Sequence, residues 1–342
     1  MISVFFPSHS PPNVQQWIMH ALSNIGQFSE AGVRAVVNAE VLARAKRLLQ
    51  SPNHNVLQKS CWMLGNLAHL SSLKKAVLDA DLCPQLVLLS GGIDIDVQEQ
   101  AAYALACMSD GSKDGATAII NANTLTHVIN LVGSQHLNTQ KWTCYMLQNI
   151  AQHKALQTAV VDMNPCTELA ELLSNHALNV RADAIYALAH ISSNSYHGAW
   201  NIVHSGALDH VLELLESKDP YVLKWTCCMV ANVARHESLH ASITAIHPCV
   251  EILSLLQHAD SAARAMATYA LACISKWPGS KRRPDIFPNV AELHCAVDSL
   301  DSLNPDVLNW ACWTVGKFAK HDPLNAVVLP FEMCVRLVSI LL

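Results

Sequence analysis

The chain repeats itself with a period of about 42 residues, and this period restricts the fold more than any other feature. KWTCYMLQNIAQH at 141–153 returns as KWTCCMVANVARH at 224–236, with eight of thirteen letters unchanged. Asn149 and Asn232 are 83 residues apart, and another 83 back is Asn66, in SCWMLGNLAHL. Between these copies fall YALACMS (103–109), YALAHIS (186–192) and YALACIS (269–275), whose tyrosines are also 83 apart. In one column, Asn24, Asn66, Cys107, Asn149, His190, Asn232, Cys273 and Lys317 are spaced by 42, 41, 42, 41, 42, 41 and 44. Two kinds of unit therefore alternate, and the 83-residue echo is a pair of them.

A single unit reads as three helices. In GAWNIVHSGALDHVLELLESKDPYVLKWTCCMVANVARH (198–236), Trp200 to His204 gives a short helix ended by Gly206. Leu208, Val211, Leu212 and Leu215, spaced by three and four, give a second. Asp219-Pro220 starts a third as an N-cap followed by proline at the first helical position. No segment sustains the period-2 alternation of a strand, so the predicted class is all-α.

The units resemble armadillo repeats. HSGALDHVLELLESKDPYVLKWTCCMVANVA follows that family's pattern of a short first helix, a gly-ala-leu second helix and a val-gln-x-x-ala-x-trp-x-leu-x-asn-leu-ala third helix. LDADLCPQLVLL (78–89) with VQEQAAYALA (97–106), and NVLQKSCWMLGNLA (55–68), follow it too. The resemblance implies a right-handed α-solenoid, a superhelix of three-helix units. Residues 1–12 are then an N-terminal tail and 13–342 one array. Its third helices fall near 13–28, 55–69, 96–109, 138–152, 179–192, 220–235, 261–275 and 305–320.

The array opens on a third helix and closes on a second, FEMCVRLVSILL, an apolar end for a solenoid that needs polar caps. The expectation is a truncated gene model, a segment of a longer array, or an end covered by a partner or a second copy. Residues 276–289 carry three prolines and KRR where a first helix should stand, and are expected to loop out. The basic triplet is read as a solvated loop, with a nuclear-import signal as the alternative.

Helical spacing sorts the third helix into two faces. Counted from the column position, −5, −2 and +1 hold Cys61, Leu64 and Leu67, then Cys144, Leu147 and Ile150, then Cys227, Val230 and Val233, which are predicted core. Positions −7, −4, 0 and +4 hold Trp142, Tyr145, Asn149 and His153 in one unit and Trp225, Cys228, Asn232 and His236 in the next of its kind. Other units add Trp17, His20 and Asn24; Lys59, Trp62 and Asn66; and Trp310, Trp313 and Lys317. The alternate units give Tyr103 and Cys107, then Asp183, Tyr186 and His190, then Tyr269 and Cys273. In the family this face lines a groove that holds an extended peptide, where amide side chains donate to and accept from a partner's backbone and aromatic walls hold its side chains. Any single aromatic here also fits packing between neighbouring helices. The repeated amide and imidazole stripe is assigned to the groove, because a core has little use for polar groups at a fixed repeating position unless each is satisfied.

Importin-alpha-like members repeat trp-x-x-x-asn along the groove and bind basic import signals. Here that pair stands intact once, at Trp62 and Asn66. Regular third-helix lysines are confined to Lys59, Lys141, Lys224 and Lys317, short of the lysine runs that beta-catenin-like grooves set against acidic partners.

Composition removes other classes. The net charge is −5 with 22 Lys and Arg, which gives no basic field for nucleic acid. No apolar run approaches the roughly 18 residues of a membrane span, and Ile2 stands where N-myristoylation needs glycine. The twelve cysteines are spread through apolar helical stretches, with no CxxC pair, so reduced thiols in cytoplasm or nucleus are expected and no metal site or cofactor. Cys61 and Cys83, Cys144 and Cys166, Cys227 and Cys249, and Cys312 and Cys334 are each 22 apart and read as core fillers. No nucleophile elbow, phosphate loop or dinucleotide fingerprint occurs, so no catalytic residue is assigned. The predicted function is a non-catalytic scaffold that binds an extended segment of a partner protein. The alternatives are an import adaptor and a scaffold that self-associates through its array ends.

Overall fold

The computed structural model describes residues 41–122 and 125–274, with isolated positions before and after them. Among the described residues every regular element is helical, and the helices come in groups. The first group is α1 (Val41–Leu48) and α2 (His54–His69). Next come α3 (Ser71–Asp79), α4 (Cys83–Ser90) and α5 (Ile95–Ser109), then α6 (Lys113–Asn121), α7 (Leu125–Val132) and α8 (Leu137–Ala151). The fourth group is α9 (Lys154–Met163), α10 (Cys166–Glu171) and α11 (Leu178–Ser192). The fifth is α12 (Tyr196–His204), α13 (Val211–Leu215) and α14 (Pro220–Ala234), and the sixth α15 (His240–Ala245), α16 (Cys249–Ser254) and α17 (Ser261–Ile274). The architecture is an all-α solenoid. The chain divides into two compact units, Met1–Glu168 and Leu169–Leu342.

The last helix of each group is the long one, and its start is fixed by side chains. Asn53, Asp94, Asp219 and Asp260 accept from the backbone N–H of Val56, Val97, Tyr221 and Ala263 at 3.2, 3.0, 2.8 and 2.8 Å. Each N-cap satisfies one orphan donor of the first turn. The residue one turn in reaches back to the preceding loop. Gln140 donates to the Ser134 carbonyl at 2.6 Å, Arg181 to that of Asn175 at 2.6 Å and Arg264 to that of His258 at 2.6 Å, and Gln98 donates to that of Gly92.

In the first unit α2 packs on α5 and α5 on α8, and in the second α11 packs on α14 and α14 on α17. Leu64, Leu67, Leu105, Met108, Met146, Leu147 and Ile150 fill the seams of the first and are essentially inaccessible. Ile185, Leu188, Met229 and Val230 do the same in the second. A fully buried side chain of this size contributes about 1.5–3 kcal/mol relative to an exposed one. Hydroxyls that the apolar stripe carries inward are satisfied on their own helix: Ser60, Thr143 and Thr226 donate to the carbonyls of Val56, Thr139 and Val222 at 2.7, 2.7 and 2.8 Å.

The shorter helices turn sharply. Asp81, Asn164 and His247, 83 residues apart, have φ of 50°, 53° and 50°, and Gly206 has 84°. These left-handed residues make the corner between the first and second helices of a group. In the sixth group the two arms, Glu237–Ala245 and Cys249–Gln257, meet at 86°. No single helix among the described residues is long and apolar enough to cross a membrane.

Candidate functional site

On the first unit the aromatic residues of successive third helices touch. Tyr103 on α5 donates its hydroxyl to Asn66 Oδ1 on α2 at 2.7 Å, and its ring meets the indole of Trp142 on α8 at a centroid distance of 4.7 Å. The room for Tyr103 comes from Gly65, where a Cβ would stand 2.6 Å from the ring. Trp142 meets Tyr145 edge-on at 6.3 Å, and the Tyr145 hydroxyl donates to Asp110 Oδ1 at 3.0 Å. Before α2, His20 stacks on Trp62 at 5.2 Å, Asn24 Nδ2 lies 3.2 Å from His20 Nδ1, and Trp17 is 66% exposed.

The second unit repeats the arrangement with other rings. Tyr186 and His190 on α11 lie 4.1 and 5.2 Å from the indole of Trp225 on α14. Tyr221 closes the cluster, 5.6 Å from Tyr186 and 6.0 Å from Trp225. Tyr269 on α17 is 37% exposed. Burial, and next the charge of Lys224, push the His190 imidazole down to about 4, so it is neutral at physiological pH. The indole N–H of Trp225 is buried with no hydrogen-bond acceptor among the described residues.

The Asn column departs from the expectation that its amides face a partner. Asn149 and Asn232 are 5% and 4% exposed. Asn149 Nδ2 donates to the Ala106 carbonyl at 3.4 Å and to Ser109 Oγ at 3.3 Å. Asn232 Nδ2 donates to the Ala189 carbonyl at 2.9 Å and to Ser192 Oγ at 3.3 Å. Both N–H groups are used to join one third helix to the next. His153 and His236 also leave the stripe: α8 ends at Ala151 and α14 at Ala234, so the +4 position lies beyond the helix, where each residue caps the element that follows. Trp310, Trp313 and Lys317 lie outside the described residues.

Cys61, Cys83, Cys144, Cys166 and Cys227 are buried thiols that fill the core, whereas Cys228, Cys249 and Cys312 are half-buried. Burial pushes Cys61, Cys83 and Cys166 up to about 12. Among the described residues no group of three or more His, Cys, Asp or Glu is placed to hold a metal ion.

Sequence reasoning left two kinds of residue out of the site. Lys141 and Lys224 each lie over the next residue's indole, Nζ to centroid 4.4 Å in both cases. Their signal was present in the repeated tetrapeptide KWTC. Tyr221 had no signal, since its column holds no aromatic in the sister units, where Asn138 and Asn55 stand.

No protein-family model matches the chain. It is 25% identical over 260 residues to importin subunit alpha-1b of Oryza sativa subsp. japonica, a match covering 75% of this chain and 41% of that protein. The chain thus spans about two fifths of the length of this curated relative. The crystal structure of an engineered protein superposes with a TM-score of 0.83 at 27% identity, over 91% of this chain and 76% of the other. A computationally designed armadillo repeat protein for modular peptide recognition matches with a TM-score of 0.64 at 21% identity, over 68% of this chain and 99% of its own. A further designed armadillo repeat protein, in complex with the peptide (KR)4, matches with a TM-score of 0.63 at 21% identity, over 68% of this chain and 99% of its own.

Proposed function

We propose that this armadillo-repeat chain is a non-catalytic protein-binding module that holds an extended segment of a partner along the face of its third helices. The observation that carries the reading is the pairing of half-buried rings across successive third helices, Tyr103 with Trp142 and Tyr186 with Trp225. Such rings present broad, rigid apolar walls with polar edges, the surface on which side chains of a strand-like peptide rest. Repetition spreads these residues along a face and does not converge a nucleophile, a base and an orienting group on one point, which catalysis requires. Likeness in fold to designed proteins made for peptide recognition supports the same reading.

The groove residues of this proposal are Trp62, Tyr103, Trp142, Tyr145, Tyr186, Trp225 and Tyr269, with Trp17 before them. Asn66, whose Oδ1 accepts from Tyr103, holds that ring in place. A second reading, an import adaptor acting between cytoplasm and nucleus, is favoured by the similarity to an importin alpha subunit. Selection from a random-peptide display library against the whole chain tests the proposal. Enriched linear sequences that bind one per chain are the expected result, and a library that yields none contradicts it. The import reading further requires that the enriched sequences be rich in Lys and Arg.

A further inference from the structure

Each of α2, α8 and α14 carries one lysine and no Arg, Asp or Glu: Lys59, Lys141 and Lys224. All three ammonium groups lie over an indole of their own helix. The distances from Nζ to the ring centroid are 6.0 Å to Trp62, 4.4 Å to Trp142 and 4.4 Å to Trp225. Among the described residues none of the three has a carboxylate within salt-bridge distance; the ion pairs found there are His54 with Asp94 and Lys75 with Asp79. Asp96 and Glu99, on the neighbouring α5, are not in salt-bridge contact with Lys59 or Lys141. Arg181 and Arg264, on α11 and α17, hold loop carbonyls of their own groups.

An indole face attracts a cation through the ring quadrupole. Here the face is already occupied by the chain's own ammonium. An incoming Lys or Arg side chain must displace that ammonium or lie beside a like charge, both unfavourable. A carboxylate meets the opposite situation: it can pair with Nζ while the lysine stays on its ring. The local field agrees, since the charge of Lys224, second to burial, helps keep His190 neutral. In a chain of net charge −5, the cations of these three helices are a local feature and not a reflection of composition.

We propose that the third-helix face of each compact unit selects an acidic segment, whose Asp or Glu side chains pair with Lys141 in the first unit and with Lys224 in the second. The tryptophans position the lysines, and the lysines set the charge of the ligand. This inference rests on the peptide-binding reading and makes it specific.

The composition of the display selection tests it. Enriched sequences should carry Asp and Glu at no less than about twice their frequency in the starting library. An enriched acidic peptide, labelled with fluorescein, should lose at least about tenfold in affinity on Lys141→Glu with Lys224→Glu, and at least about threefold on the milder Lys→Gln pair. Lys75→Glu, on α3, should leave its affinity unchanged. Binding should also weaken with added salt, as screening of exposed charges requires. Enrichment of neutral or basic sequences, or affinity indifferent to both lysine pairs, overturns the acidic preference while leaving the peptide reading in place. A selection with no enrichment overturns both.

Discussion

The side-chain amide of Asn232 donates to the carbonyl oxygen of Ala189 over 2.9 Å, linking α14 to α11. Asn149 repeats the contact on Ala106, linking α8 to α5, and in both cases the serine three residues after that alanine shares the N–H. The column that first drew notice in the sequence is therefore a tie between units of the solenoid. Each unit contacts mainly its neighbours, so such ties determine how stiffly the stack holds its third-helix face.

Removing the tie should destabilise the fold. Asn232→Ala leaves a buried carbonyl and hydroxyl without their shared donor, and is expected to cost about 1–3 kcal/mol in urea unfolding. Asn149→Ala, whose contacts are longer, should cost less. Unfolding midpoints equal to the parent would mean that the amides contribute nothing to the stack.

Two glycines should be intolerant of a methyl group. Gly115 and Gly198 open α6 and α12, and a Cβ there would stand 1.9 Å from the Met108 carbonyl oxygen and 2.0 Å from that of Ile191. Backbone has to move, so either Gly→Ala change should cost about 1–3 kcal/mol. At Gly133 the nearest atom to a Cβ is 3.6 Å away, and Gly133→Ala should stay within about 0.5 kcal/mol of the parent by the same unfolding measurement.

His190 should make stability depend on pH on the acid side. Its folded value, about 4, is below the ordinary 6.5. Above 6.5 both folded and unfolded chains hold it neutral; as pH falls from about 6.5 to about 4, the unfolded chain binds a proton that the folded one refuses, and stability drops. His190→Cys, which copies Cys107 and Cys273 of the sister units, should flatten that part of the curve. Lys224→Gln should move the His190 titration upward in an NMR experiment, because a neighbouring positive charge is removed.

The buried thiols should be inert. With Cys61, Cys83 and Cys166 pushed up to about 12 and Cys227 also raised, almost no thiolate forms at pH 8. Iodoacetamide should leave these four unmodified in the native protein and alkylate them in urea, as read by peptide mass spectrometry. The half-buried Cys249 should react first among the cysteines of the sixth group, ahead of Cys273.

The sequence made the solenoid readable because repetition multiplies a weak signal. The 42-residue column, the inward set Cys144, Leu147 and Ile150, and the Asp219-Pro220 helix start all appear in the structure as helical phase predicts. The polar stripe was harder, since phase alone does not tell whether an amide points at a ligand or at the next helix. Asn149 and Asn232 went inward because Ser109 and Ser192 and two carbonyls at the neighbouring helix end offered acceptors, a pairing 40 and 43 residues distant in sequence. His153 and His236 were misplaced because helical phase was continued past the last helical residue. The lysine over each indole needed the side-chain geometry, although the KW pair was visible.

The central claim is that a partner segment lies on the third-helix face. The most direct test is the affinity of one enriched peptide for Trp142→Ala, Trp225→Ala and Trp200→Ala, the last on the first helix α12 and 42% exposed. Provided circular dichroism shows intact helices, the account predicts a loss of about tenfold or more, roughly 1.4 kcal/mol, for each of the first two and no change for the third. Unchanged affinity at Trp142 and Trp225, or a loss confined to Trp200, would contradict it.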